Sequence, residues 1–225
     1  MKKLIKLIFI SLSMSLLSYA LSCHAQPSSS FQTFQALQTL QTLSRLLNTI
    51  QAMQADFTQI MTDKTKKIIQ KSSGHMALQR PGQFRWQVVQ PVAQLIVTNG
   101  QRLWIYEPDL EQVTIRSLFK TAGEMPVLLL SRTQATLARD FYVNQLSRSD
   151  VSIGFLLVPK DKNNMVASIK LKFTHDLLQE MQLQDQLGHS TLIQFQHIVL
   201  NPHLPASLFN FKPPAQIDII DETHA

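Results

Sequence analysis

Arg80 to Thr114, RPGQFRWQVVQPVAQLIVTNGQRLWIYEPDLEQVT, reads as three consecutive strands. Phe84, Trp86 and Val88 alternate with Arg85 and Gln87, so one face of the first strand is aromatic and aliphatic and the other polar. Gln90-Pro91 breaks that strand, and Leu95 to Thr98 resumes. Asn99-Gly100 offers the positive-φ pair that a two-residue hairpin favours, and Leu103 to Tyr106 returns antiparallel until Pro108 stops it. Both tryptophans of the chain lie here, and a single arginine, Arg80, opens the block at an Arg-Pro corner. None of these residues forms a reaction centre; what they supply is apolar surface.

The flanks extend the same pattern. Upstream, Met53 to Ile60 alternates Met53, Ala55 and Phe57 with polar residues. Asp63 to Lys67 is a charged turn, and Ile68 to Gln70 with Ser73 to Leu78 reads as a hairpin leading to the Arg80 corner. Downstream, Val151 to Leu157, Ile169 to Phe173, Leu178 to Gln184 and Leu192 to Leu200 repeat the period of two, separated by polar turns. With no helical period between them, these strands make an antiparallel meander. Before the strands, apolar residues from Phe34 to Ile50 recur mostly in steps of three, a helix able to bury one face. Gln35 to Thr42 within it reads as a solvated, low-complexity polar tract. Another segment, GEMPVLLLSR, sets Pro126 in the first turn of a short helix whose Val127 to Leu130 are apolar on every side. These segments predict a mainly β chain with some α: about 11 strands in a strongly curved antiparallel sheet, with helices on one side. An apolar concave face of that length is either filled by its helices or left hollow.

Composition bounds the rest. The chain has 225 residues, 44% apolar and 16% charged, which is a globular profile and room for one well-packed domain. Lys2, Lys3 and Lys6 belong to a targeting segment; without them 18 basic side chains face 15 acidic ones, and no basic run exceeds Lys66-Lys67. Nucleic acid is therefore not an expected partner. Residues 1–25 have the basic and apolar regions of a secretory signal, with cleavage expected after Ala25, leaving residues 26–225 as a single exported domain. Two other readings of this segment remain open: an uncleaved membrane anchor, and a lipoprotein signal acylated at Cys23, with Ala20 standing where such signals carry leucine. Cleavage after Ala25 removes the one cysteine, and with it disulfide, thiol and thiolate-metal chemistry.

Motifs for chemistry are missing. The seven histidines include no HExxH, the six glycines no GxGxxG and no GxxxxGK[ST], and no GxSxG exists. Glu107 and Asp109 flank Pro108 in a turn, where carboxylates are usually there for solvation. No enzyme, no cofactor and no metal site is expected.

Arg80-Pro81, Phe84-Arg85-Trp86, Pro91, Val97-Thr98-Asn99-Gly100, Leu103 to Tyr106, Pro108 and Glu111-Gln112-Val113 together resemble the periplasmic outer-membrane lipoprotein carrier (LolA) family. Phe57-Thr58-Gln59 after the first helix and the closing Phe209-x-Phe211-x-Pro213-Pro214 resemble it too. The resemblance implies an incompletely closed β-barrel with a helical lid, which Val127, Leu128 and Leu130 would form. It also implies a monomeric carrier whose cargo is the acyl chains of lipoproteins. An inner-membrane ABC transporter (LolCDE-like) would be its donor and an outer-membrane protein of the same fold (LolB-like) its acceptor. Arg80 takes the family's gating role, and a guanidinium suits it: five donors in a rigid fork can hold the free carbonyls at a helix end. Phe84, Trp86, Val88, Val127, Leu128, Leu130 and Met181 are the expected lipid-binding residues. Whether Trp104 and Tyr106 or Leu103 and Ile105 face the hollow is undecided, because both sets are apolar. Two further readings stand beside the carrier: the acceptor itself, anchored through Cys23, and a related periplasmic shuttle for free lipid or glycolipid.

Overall fold

A computed structural model describes residues 29–117, 129–130 and 134–223. Helix α1 (Ser29–Asn48) is followed by six strands: β1 (Ala52–Thr62), β2 (Ile68–Gln79), β3 (Gln83–Gln90), β4 (Gln94–Asn99), β5 (Arg102–Glu107) and β6 (Gln112–Ser117). A short helix, α2 (Gln134–Asp140), leads to β7 (Phe141–Arg148), β8 (Ser152–Pro159), β9 (Val166–Thr174), β10 (Leu177–Asp185), β11 (Ser190–Leu200) and finally β12 (Asp218–Asp221). All twelve strands form one sheet in the order β12-β6-β5-β4-β3-β2-β1-β11-β10-β9-β8-β7, open at β12 and β7.

The sheet curls strongly. Trp86 on β3 and Val166 on β9 line one groove. In a flat sheet the five strand steps between them would span about 24 Å. Inner side chains of β1 to β3 and β8 to β11 accordingly join one cluster with Leu43, Leu46, Leu47 and Ile50, all fully buried, from α1 and the turn after it.

Several local expectations need correction. The Gln35–Thr42 tract is part of continuous helix and is exposed over its first half, where Phe34 and Leu37 are themselves about half exposed. Ile68 to Leu78 is one long strand, not a hairpin, because its whole length pairs with β1. The turn is not a two-residue Asn99-Gly100 hairpin: pairing between β4 and β5 closes at Thr98 and Leu103, with Asn99 to Arg102 between them. Only Gly100 takes positive φ, at 96°, and the Asn99 Oδ1 accepts the N–H groups of Gln101 and Arg102. The sheet has twelve strands instead of about eleven and is not wholly antiparallel, since β12 pairs parallel to β6.

That parallel pair follows from the path of the chain after β11. Residues 201–217 cross the outer face of the sheet instead of turning back. Phe209 is buried there against Ala52 and Ala77, and the Arg85 Nη1 donates to the Leu208 carbonyl at 3.5 Å. Further along, Phe211 and Ile217 cover Trp104, Tyr106, Val113 and Ile115, with the Phe211 and Tyr106 rings 5.4 Å apart. The inner face of β5 therefore belongs to Leu103 and Ile105, opposite Thr98 and Ile96.

Candidate functional site

Helix α1 ends over the concave face, and its last carbonyls cannot find intrahelical donors. Side chains from several elements supply them. The Leu46 carbonyl accepts the Thr49 hydroxyl at 2.7 Å, Asn48 accepts Gln51 Nε2 at 2.7 Å, and Thr49 accepts Asn201 Nδ2 at 3.0 Å. Arg80 takes the remainder. Its Nε donates to the Ile50 carbonyl at 2.9 Å, and its Nη2 donates both to Leu47, at 3.1 Å, and to the Leu130 carbonyl. One rigid fork thus joins the end of α1 to the segment containing Leu130. Burial lowers the pKa of this guanidinium from its ordinary value, a sign that the charge sits in a partly dry corner.

Below the corner the inner side chains form stacked rows. Phe84 is fully buried and Trp86 nearly so, with Val88 partly buried at the end of the same row. Trp86 stacks on Phe57 of β1 with ring centroids 3.6 Å apart, although β2 lies between their strands. Gly74 is the β2 residue paired with Phe57, and its lack of a Cβ lets β2 lie close against the Gln87 carbonyl of β3 at this point. Met181, fully buried, pairs with Leu171 on one side and Ile193 on the other. Phe84, Trp86, Val88, Leu130 and Met181 therefore meet in one cluster, whereas Val127, Leu128 and Pro126 lie outside the described residues.

The concave face is filled at the Arg80 end and open at the other. Away from α1 a groove of about 600 Å³ runs between Trp86, Val88 and Ile96 on one wall and Val166, Leu183 and Ile193 on the other. Met61, Met165 and His189 stand near its mouth. Ser72 lies in its wall, more than nine-tenths buried, with its hydroxyl lacking a hydrogen-bond partner among the described residues. Sequence reasoning missed Phe57, Ile96, Leu183 and Ile193 as lining residues. Their alternation was visible, but which strands come to face one another depends on the curl.

The histidines are differently placed than their spacing indicates. His75 and His197, on strands flanking β1, each bring Nδ1 to one oxygen of the Asp56 carboxylate, at 2.6 and 2.7 Å. His189 bonds Asp185 at 2.7 Å. Hydrogen bonds from His197 and His75 hold the Asp56 carboxyl below its usual value. Among the described residues no group of three or more His, Cys, Asp or Glu side chains is arranged to hold a metal ion.

Residues 48–212, which contain Arg80 and every described lining residue, match the model of a family described as outer membrane lipoprotein carrier protein LolA. The chain belongs to that family. The outer-membrane lipoprotein carrier protein of Legionella pneumophila (strain Corby) is 43% identical over 172 residues, covering 76% of this chain and 84% of that protein. The protein of the same name from Methylobacillus flagellatus is 40% identical over 171 residues, or 76% and 83% of the two chains. Among solved structures, an uncharacterized conserved protein from Thermus thermophilus aligns with a TM-score of 0.51 at 11% identity, over 80% of this chain and 99% of that one, a likeness of fold alone. As a LolA family member the chain is mainly β, with a curved sheet that does not close.

Proposed function

We propose that this protein is a periplasmic carrier that takes up the acyl chains of outer-membrane-directed lipoproteins and hands them on, with Arg80 as the latch of the empty state. The observation that carries this is the Arg80 fork, which ties the end of α1 and Leu130 together above an apolar face that is only half filled. Each methylene moved from water into such a site contributes roughly 0.8 kcal/mol, so one sixteen-carbon chain supplies about 10 kcal/mol. Three such chains would exceed the ceiling of reversible affinity unless opening the site were costly. Bonds that must break before cargo fits keep binding reversible, and remaking them favours release.

Phe84, Trp86, Val88, Leu130 and Met181 are the apolar contacts in this reading, with Val127 and Leu128 completing the cover. The chain carries no nucleotide motif, so the energy for loading comes from a partner; the family resemblance implies an inner-membrane ABC transporter as that donor and an outer-membrane protein as acceptor. The secretory-signal pattern of residues 1–25 supports a mature chain working between the two membranes.

Purification from the periplasm under native conditions, followed by mass spectrometry, tests the reading. A carrier begins near Gln26, bears no acyl group and brings down acylated lipoprotein. A mature N-terminus at an acylated Cys23 would make it the anchored acceptor instead, and free lipid or glycolipid as the only cargo would make it a shuttle of another kind.

A further inference from the structure

The two ends of the barrel differ in their turns. At the Arg80 end the connections are polar or glycine-containing: Arg80 to Gly82, Asn99 to Gln101, His175-Asp176, and Ser149 to Val151, of which only Val151 is an exposed large apolar residue. At the groove end every hairpin connection carries one at its tip or its foot. These are Ile68 and Ile69 after the β1–β2 turn, Val92 between β3 and β4, Leu110 between β5 and β6, Met165 between β8 and β9, and Leu187 between β10 and β11. Leu187 and Met165 are 74% and 70% exposed, more than any other large apolar residue described. One such residue alone is ordinary on a protein surface; here they gather at the turns of one end of the barrel.

Three of these turns form one continuous edge. The Gln186 N–H donates to the Met165 carbonyl at 3.1 Å and its Nε2 to the Asn164 carbonyl at 3.2 Å, joining the β10–β11 turn to the β8–β9 loop. On its other side, Gly188 lies so close to Lys64 that an added Cβ would approach the Lys64 Cβ to 3.1 Å. The β1–β2 hairpin also projects. Pairing of β2 with β3 begins only at Ser73 with Gln90, so Ile68 to Ser72 have no ladder partner on that flank, and both isoleucines stand free.

The charges along this edge are biased. Lys64, Lys66, Lys67, Lys71 and Lys162 are all exposed. Three carboxylates lie beside these five lysines, each hydrogen-bonded within its own loop: Asp63 accepts the N–H groups of Thr65 and Lys67, Asp161 that of Asn163, and Asp185 those of Leu187 and His189. The acidic β5–β6 turn, with Glu107, Asp109 and Glu111 around Leu110, is separated from these three turns in the strand order, and its Glu107 accepts Nε2 of the groove-lining Gln94 at 3.3 Å.

We propose that the edge made by the β1–β2, β10–β11 and β8–β9 turns docks on an anionic phospholipid bilayer, with Ile68, Ile69, Leu187 and Met165 entering the interface and the lysines meeting lipid phosphates. Separate apolar points between cations suit a deformable apolar medium bounded by negative headgroups better than they suit the continuous packed surface of a folded partner. Docked this way, the groove mouth at Met165 and His189 faces the membrane surface. The unpaired flank of β2 is protected from strand addition by Lys67 and Lys71. This inference is independent of which cargo the groove holds.

Vesicle flotation tests it, using processed chain recovered in soluble form from the periplasm, with an intact mass that shows no acyl group. Vesicles of roughly three parts phosphatidylcholine to one of phosphatidylglycerol should carry the protein upward, more strongly at low than at high salt, and pure phosphatidylcholine much less. K64Q/K66Q/K67Q should weaken binding about 100-fold, at about 5-fold for each lysine. I68S/I69S and L187S should each weaken it while leaving the melting temperature unchanged, and V199S, an exposed apolar residue on a strand, should bind as wild type. Absence of binding to the anionic vesicles, equal binding to both compositions, or indifference to the rim substitutions would each overturn the proposal. Because no lipoprotein is present, a negative result leaves cargo binding untouched.

Discussion

At the scale of single residues, two side chains divide the site between them. In the proposed latch Arg80 holds the closed state, so Arg80→Leu should free the Leu47, Ile50 and Leu130 carbonyls from its fork and destabilise the empty protein by about 2 kcal/mol. The same loss acts on cargo with opposite sign. If closing is weaker by about 2 kcal/mol, bound acyl chains are held about 30-fold more tightly. Uptake should therefore persist while hand-over to an acceptor slows, and wild-type transfer rates in a purified donor-to-acceptor assay would refute the latch. Ser72 behaves inversely, because a buried hydroxyl with no hydrogen-bond partner among the described residues is a penalty in the empty groove. Ser72→Ala should raise stability by about 1 kcal/mol in thermal or denaturant unfolding, yet reduce cargo affinity if an ester or amide of the lipid supplies the missing partner. Arg80 could be singled out in the sequence only through its neighbours, since an arginine before a proline is ordinary. Ser72 could not be found at all, because its isolation is created by strands distant in the chain.

At the scale of elements, alternation alone made most strands legible in the sequence. The order Phe84, Trp86, Val88 marked the inner face of β3 correctly, and Val151 to Leu157 with Ile169 to Phe173 marked β8 and β9 nearly to their ends. Where alternation was silent, pairing decided. Leu103 to Tyr106 is apolar on both faces because both are at least half-buried, Leu103 fully on the inner face and Trp104 with Tyr106 under Phe211 and Ile217 on the outer one. β2 read as two short strands because Gln70, Ser72 and Gly74 interrupt its apolar run, and these are the positions where its inner face meets the groove or the stacked rings. Gly74 carries the sharpest consequence. A Cβ there would lie 1.8 Å from the Gln87 carbonyl oxygen of β3, so Gly74→Ala must push two strands apart. A loss of about 3 kcal/mol is expected, with the Phe57 and Trp86 stacking disrupted. Denaturant unfolding would measure the first and near-ultraviolet dichroism of Trp86 the second; a variant with unchanged values would show that the strands have slack at this point.

At the scale of the molecule, the hollow is shared between α1 and the groove, and the division predicts how loading must proceed. Leu43, Leu46, Leu47 and Ile50 occupy the Arg80 end with no exposed area, while the open part beyond them measures about 600 Å³. A triacylated lipoprotein brings three long chains, whose combined burial calls for the whole concave face. The cover of the Arg80 end is held by hydrogen bonds at its rim and by four apolar side chains, so it can leave as a unit without disturbing the β ladder. Filling with a triacylated lipopeptide should therefore raise hydrogen exchange across residues 40–50 and around Arg80, while the amides of β1, β10 and β11 keep or gain protection. A monoacylated ligand, short enough to fit the groove alone, should leave α1 as protected as in the empty protein. If the triacylated ligand also leaves α1 unchanged, the chains enter without moving the helix, and the energetic reason for a latch at Arg80 disappears with it.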